Sequence, residues 1–253
     1  MLALTDHDTL DGIEAAHHAA RSHGLELIPG VEISVTWSGR TLHVVGLDVD
    51  PASSVLRNGL QSVRTGRLQR AESIARRLAT IGIASSFDGA MALASNPGCI
   101  GRGHFARYLV ATGAALDTKG AFRRFLGEGR PGYVRHKWVD LAQAVSWIKQ
   151  AGGIAVLAHP ARYALRIARL RTLFEEFRAS GGSAVEVVTA SCRDEQAVQL
   201  SRLAAECGLL ASAGSDFHSP EESWLDLGQV AALPPGCEPV WTNWLARQPL
   251  AAA

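Results

Sequence analysis

Long apolar runs are missing from this sequence of 253 residues: nowhere do about 18 apolar residues follow one another, the length a helix needs to cross a bilayer. The first residues also lack the basic start, apolar stretch and small-residue cleavage site of a secretory signal, so the cytoplasm is the expected location. Cysteine is scarce. Cys99, Cys192, Cys207 and Cys237 stand far apart and form no CxxC pair, which argues against a zinc knuckle and a disulfide framework and leaves reduced thiols. No internal repeat is evident, and the only low-complexity tract is the small tail Ala251 to Ala253. What remains, 47% hydrophobic and 19% charged residues, is ordinary for a globular protein and long enough for one α/β barrel or two smaller domains.

The formal net charge of +1 conceals an asymmetry. Residues 52–137 carry 12 Arg and 2 Lys against 2 Asp and 2 Glu, a balance of +10, which leaves −9 for the rest. A basic segment set against a carboxylate-rich remainder suggests phosphate recognition on one side and metal binding on the other; many of these arginines would equally serve a solvated helical face.

Hydrophobic periodicity places a strand at Leu2 to Thr5, a helix at Thr9 to His23 closed by Gly24, and a strand from Leu25 that Pro29-Gly30 breaks. Val31 to Trp37 and Thr41 to Leu47 flank the Ser38-Gly39 turn, so Glu32 and His43 lie on paired or adjacent strands. Helices follow near Ser54 to Ile81, Phe87 to Ala94, Gly103 to Thr112 and Thr118 to Leu126. This block interrupts the alternation, which marks 52–137 as an inserted basic helical subdomain and 1–51 with 138–253 as the barrel. The turn-rich Gly127 to Gly132 ends it. Alternation resumes with helix Leu141 to Ala151, strand Ile154 to Ala158, helix Ala164 to Ala179, strand Ala184 to Val188, helix Asp194 to Cys207 and strand Leu209 to Ala213, the pattern of an α/β fold with a parallel sheet and outer helices.

Six side chains suited to a divalent metal stand in or just beyond apolar runs: His7, Glu32, His43, His159, Asp216 and His218. In a barrel-like fold the carboxyl ends of strands converge on one rim, so residues this scattered can meet. Asp6-His7-Asp8 sets a histidine between carboxylates that can fix its tautomer, while Asp8 or Thr9 could instead cap the next helix. Glu32, inside a strand, is expensive to bury without a cation. His43 presents the same problem less sharply, since a neutral imidazole can be satisfied by ordinary hydrogen bonds. Asp216 and His218, two apart after Gly214, can reach different ions from one loop; the alternative is a polar loop closed by a Ser219-Pro220-Glu221 cap. Glu186, ending a strand, could orient a ligand or form a salt bridge. His17, His18 and His23 are expected to face solvent.

Leu4-Thr5-Asp6-His7-Asp8-Thr9, Gly30-Val31-Glu32, His43-Val44-Val45-Gly46, Ala158-His159-Pro160 and Gly214-Ser215-Asp216-Phe217-His218 resemble, in order and spacing, the PHP (polymerase and histidinol phosphatase) family. Gly101 to Ala106 and Gly132-Tyr133-Val134 resemble its branch of nucleotide phosphoesterases and 5′-3′ exoribonucleases. The resemblance implies a distorted (β/α)7 barrel around as many as three ions of manganese, iron or zinc. Glu32 would bridge two ions, His43 and His159 complete one, His7 and His218 serve another, and Asp216 serve the ion shared with Glu32. It also implies a metal-activated hydroxide as nucleophile, with no side-chain nucleophile. Family members carry a His-x-His strand and a Ser-Asp-Gly loop upstream of the Leu-Thr-Asp-His-Asp motif. The expectation for this chain is therefore a barrel without its first β-α unit, lacking three ligands and with its own activity in question.

For phosphate recognition the candidates are Arg102, His104, Arg135 and His136, with Tyr133 placed to stack on a base. The expected substrate is a nucleotide phosphate, such as a 3′,5′-bisphosphonucleotide, or a short 5′-phosphorylated RNA, with no membrane and no obligate protein partner. A small phosphomonoester such as histidinol phosphate, or an inactive protein that binds metal or nucleic acid, are the alternatives.

Overall fold

Strand β2 (Leu27–Trp37) organises the sheet of the computed structural model, because nearly all of its side chains can be buried. The structure describes residues 1–220, 223 and 225–242, so Glu221 of the expected cap and the alanine tail lie outside the described residues. The chain divides into two units: Met1–Asp6, Leu10–Arg57 and Val139 onward form a sheet unit, and His7–Thr9 with Asn58–Trp138 form a helical unit.

The sheet unit holds a curled half-barrel sheet in the order β1-β2-β3-β5-β6-β7, made by β1 (Leu2–Leu4), β2, β3 (Arg40–Leu47), β5 (Ile154–Leu157), β6 (Ala184–Thr189) and β7 (Leu210–Gly214). A short β4 (Val139–Asp140), not foreseen from the sequence, pairs with β2 at Val35 and Thr36. The sheet is mixed, not parallel. Strand β3 runs antiparallel to both β2 and β5, because the two-residue turn Ser38-Gly39, with φ of 46° and 75°, folds β2 straight back into β3. Strands β5, β6 and β7 are parallel.

Pro29-Gly30 does not break β2, contrary to expectation. Leu27 to Pro29 pair with β1 and Gly30 to Trp37 pair with β3, so the residue without an N–H sits where the strand changes partner. Gly30 makes that change possible: a Cβ there would lie 2.8 Å from the Gly46 carbonyl oxygen and 3.0 Å from that of Leu4.

Helix α1 (Ile13–Ser22) starts later than its periodicity predicts, with Gly12 and neither Asp8 nor Thr9 at its N-cap. His18 and His23 are exposed and His17 half-buried. Helix α2 (Ser54–Ala79) belongs to the sheet unit through Arg57. In the helical unit the rest of α2 packs with α3 (Ser86–Ala92), α4 (Arg102–Ala111) and α5 (Thr118–Ala121) around Ile74, Leu78, Ile100, Phe105, Leu109 and Leu126. The end of the helix expected over 118–126 is a wider π-type turn, Phe122–Leu126. Back in the sheet unit, α6 (Leu141–Gln150) lies against β2, β3 and β5, and α8 (Asp194–Glu206) against β6 and β7. Helix α7 (Ile167–Ala179) buries Leu170, Leu173, Phe174 and Phe177; it begins three residues later than predicted, after a 3-10 turn at Pro160–Tyr163. Among the described residues no helix is long and apolar enough to cross a membrane.

The close approach at Gly30 has a measurable consequence. Gly30→Ala is expected to destabilise the protein by about 1–3 kcal/mol, since backbone oxygens cannot yield as flexible side chains do. A lower urea midpoint at unchanged slope is the expected result; an unchanged midpoint would show that β1 and β3 separate freely.

Candidate metal centre

Strand register brings the first ligands together. Glu32 faces Val45 across β2 and β3, and Ser34 faces His43, so Glu32 and His43 are diagonal neighbours on one side of the sheet. Strand β5 continues the arrangement. Val44 pairs with Leu157, His43 and Ala158 are opposite, and His159 follows at once. His43 Nδ1 lies 2.7 Å from Glu32 Oε1, His159 Nε2 lies 3.0 Å from the same oxygen, and the two nitrogens are 3.2 Å apart.

The strand ends are held apart by a residue the sequence reading did not single out. Ala158 N–H donates to the His43 carbonyl at 3.1 Å, but the return bond of that antiparallel pair is opened by Tyr163. Its hydroxyl accepts from His43 N–H at 3.0 Å and donates to the Ala158 carbonyl at 2.7 Å, a one-atom wedge between the backbones that carry two candidate ligands. The ring also meets His159 edge-on, and burial pushes the phenol well above its usual range, so the hydroxyl keeps its proton.

Asp216 completes the group: one of its carboxylate oxygens, Glu32 and His159 offer ligand atoms all within 4.8 Å of one another. His159 and Asp216 both adopt left-handed backbone, with φ of 30° and 51°, a strain that aims their side chains and that surrounding structure must enforce. For His159 the enforcement is visible. The Glu186 carboxylate, on β6, accepts from His159 N–H at 2.8 Å. Arg162, half-exposed, pairs with Asp216. His218 belongs to the same loop; its Nδ1 lies 2.9 Å from the Asp216 carbonyl oxygen and 3.7 Å from the Asp216 carboxylate, and its ring is half-exposed. Burial raises the Asp6 carboxyl above its usual range, partly countered by His218.

The residues fit a divalent cation on two grounds. Mutual distances of 2.7–3.2 Å among one carboxylate oxygen and two imidazole nitrogens are close to the polyhedron edges set by metal bonds of roughly 2.0–2.1 Å. The field is negative as well: burial alone pulls His159 down, yet the hydrogen bond and charge of Glu32, with Glu186 and Asp216, outweigh it and raise its pKa. A proton held so firmly does what a cation would do better. Binding at Nε2 sends the ring proton to Nδ1, which is buried without a hydrogen-bond partner among the described residues, a cost the metal bond must exceed.

The remaining predicted residues lie in the helical unit. The His7 carbonyl accepts from the Cys99 thiol at 3.2 Å, and the neighbouring Asp8 carboxylate is fully buried against Arg67 at 2.5 Å. Arg102 opens α4 with its guanidinium 5.6 Å from the Phe122 ring centre. His104 Nδ1 accepts from Gly101 N–H at 3.1 Å, so that ring caps its own helix. The Tyr133 carbonyl accepts from Arg77, Arg135 is exposed, and His136 meets Trp138 edge-on at 4.2 Å.

No family model matches the chain. Individual relatives do. A 3′,5′-nucleoside bisphosphate phosphatase from Chromobacterium violaceum is 46% identical over 98% of this chain and 87% of its own length. A 5′-3′ exoribonuclease from Haemophilus influenzae is 42% identical over 96% of this chain and 88% of its own. The chain belongs to the PHP family of metal-dependent phosphoesterases. Solved structures agree: an amidohydrolase from Chromobacterium violaceum with bound sulfate and no metal, 46% identical, superposes with a TM-score of 0.92 over 97% of this chain and 86% of that one. A metal-dependent phosphoesterase from Bifidobacterium adolescentis, 28% identical, gives 0.79 over 90% and 80%. As a PHP phosphoesterase the protein is a phosphoric ester hydrolase that depends on divalent metal.

Tyr163, Arg162 and the β6 support of His159 are what sequence reasoning on this PHP chain left out or left open. Only their nearness to His159-Pro160 could have pointed to the first two. Replacing the wedge should show in the metal: Tyr163→Phe is expected to weaken manganese binding roughly tenfold while the fold persists, measured by competition with a chromophoric chelator. Equal affinity would deny the hydroxyl a positioning role.

A second outcome concerns pH in metal-free protein. Burial, reinforced by Glu32 and Asp216 and opposed by His159, pushes the Glu186 carboxyl from 4.5 up to about 7. Its folded value exceeds its unfolded value, so its contribution to stability is complete below pH 4.5 and lost as pH rises through about 7. Glu186→Gln should flatten that part of the profile of urea midpoint against pH; parallel profiles for the two proteins would show that Glu186 carries no such burden.

Proposed function

We propose that this PHP phosphoesterase removes phosphate from nucleotides of the 3′,5′-bisphosphate type, or shortens 5′-phosphorylated RNA from its 5′ end. The observation that carries the reading is the convergence of Glu32, His43 and His159 on ligand distances, in a chain that shares 42–46% of its residues with a nucleoside bisphosphate phosphatase and a 5′-3′ exoribonuclease. The basic helical segment favours such polyanions over a small phosphoester.

Glu32, His43, His159 and Asp216 would hold the metal, with His7 and His218 serving another ion as the family pattern implies, in a distorted (β/α)7 barrel. Mixed imidazole and carboxylate donors suit manganese, iron or zinc, and we propose manganese, with up to three ions. A bound divalent cation supplies Lewis acidity toward phosphoryl oxygen and activates water at neutral pH. The chain's own residues do the rest. Tyr163 and Glu186 hold the backbones of His43 and His159 in place, and Arg162, half-exposed beside Asp216, would present its guanidinium to a phosphate oxygen. Arg102, Tyr133, Arg135, His136 and His104 are the proposed substrate side, with His104 acting through the cap of α4.

The test is manganese-dependent phosphate release from 3′,5′-adenosine bisphosphate and from a short 5′-phosphorylated RNA. Chelation should abolish release and manganese restore it, and Glu32→Gln should lower it more than ~100-fold. Absence of release from either substrate by metal-loaded protein would overturn the assignment.

A further inference from the structure

Residues outside 52–137 carry a net −9, yet the segment that follows β5 is basic. Residues 160–174 hold Arg162, Arg166, Arg169 and Arg171 and no Asp or Glu. They run from the 3-10 turn after His159 into the first half of α7, and they lie in the sheet unit with β2, β3 and β5.

Their position works against the helix. A helix start carries partial positive charge and favours carboxylates there, and α8 obeys the rule with Asp194 and Glu195 in its first turn. Helix α7 has no acid in its first turn; Arg166 is its N-cap and Arg169 follows three residues later. A solvated face selected for stability alone would mix signs, as the second half of α7 does with Glu175, Glu176 and Arg178. The single-sign stretch is confined to the part that continues from the metal centre.

The segment is anchored at both ends. Arg162 pairs with Asp216. Arg169 lies 4.7 Å from the centre of the Trp37 ring, and the indole N–H donates to Glu176 at 2.5 Å, which fixes α7 over the end of β2. Arg40 is opposite Trp37 in the β2–β3 register, and opposite residues share one face of a sheet. Arg166 and Arg169 are neighbours one turn apart, with Cβ atoms separated by about 5–6 Å. Arg40, Arg166 and Arg169 are exposed, and none of the three has a carboxylate partner among the described residues. Arg171 is paired with Glu206 and takes no part. The acids on the adjoining elements are engaged, Glu176 by Trp37 and Asp140 by Gln143 N–H at 2.9 Å.

We propose that Arg166, Arg169 and Arg40, continuing from Arg162, form a surface for the phosphodiester backbone of single-stranded RNA, along which nucleotides beyond the one at the metal centre are held. Trp37 is buried beneath Arg169, so this surface offers charge and no ring for a base to stack on. Binding to it is therefore indifferent to sequence and sensitive to salt. The choice of RNA among polyanions rests on the phosphoesterase reading; the basic surface does not.

Two measurements separate those claims. The first, on the full chain loaded with manganese, is the ratio of kcat/KM for a 5′-phosphorylated RNA of about 12 nucleotides over that for 3′,5′-adenosine bisphosphate. The double variant Arg166→Gln, Arg169→Gln is expected to lower this ratio about tenfold, whereas Arg178→Gln, which removes a charge from the far end of α7, should keep it. The second is fluorescence anisotropy of the same RNA with the full chain in chelator, at several salt concentrations. The slope of log affinity against log salt should become shallower by about 0.7 for each arginine removed, and Arg166→Lys should keep the original slope because the contact is one of charge. Arg166→Gln alone gives the same readings, at half the size, should loss of Arg169 from Trp37 loosen α7. An unchanged slope or an unchanged ratio in folded variants overturns the proposal, as does an equal loss in Arg178→Gln. Absence of RNA turnover with a slope that still depends on Arg166 would remove the exoribonuclease reading and leave the surface standing.

Discussion

A single carboxylate oxygen, Glu32 Oε1, governs the sheet unit. It lies in a strand whose neighbours are buried, and it receives two imidazole nitrogens at 2.7 and 3.0 Å. Leaving such a group unpaired would cost several kcal/mol, and hydrogen bonds to a charged partner return only about 1.5–3 kcal/mol each. Hydrogen bonds from neutral imidazoles alone barely offset the burial. A cation does, so the geometry is economical only with positive charge at its centre. The hairpin that makes β3 antiparallel, the Tyr163 wedge and the strained His159 backbone all serve to bring nitrogen to that oxygen.

Much of this was legible in the sequence, and what was hidden has a physical reason. Glu32 and His43 could be placed on neighbouring strands because the Ser38-Gly39 turn fixes register, and His159 and Asp216 could be placed at strand ends because their apolar runs stop there. Pro29-Gly30 misled, since a proline reads as a break unless the change of pairing partner is known. The start of α1 misled for a related reason. Asp8 has the composition of a cap, but an arginine, Arg67, makes a stronger claim on its buried carboxylate. Tyr163 was invisible because one of the two backbones that its hydroxyl joins is 120 residues away in sequence, and no local pattern records that.

The division of charge follows the chemistry. Residues 52–137 carry a balance of +10 and the rest −9, and the carboxylates that matter in the sheet unit surround imidazoles. An anionic substrate would be repelled by Glu32, Glu186 and Asp216 acting alone. A divalent ion held by those ligands would reverse the sign at short range. The carboxylates that would hold the metal and the arginines that make residues 52–137 basic are thus different residues, and substitution in one set leaves the charge of the other unchanged.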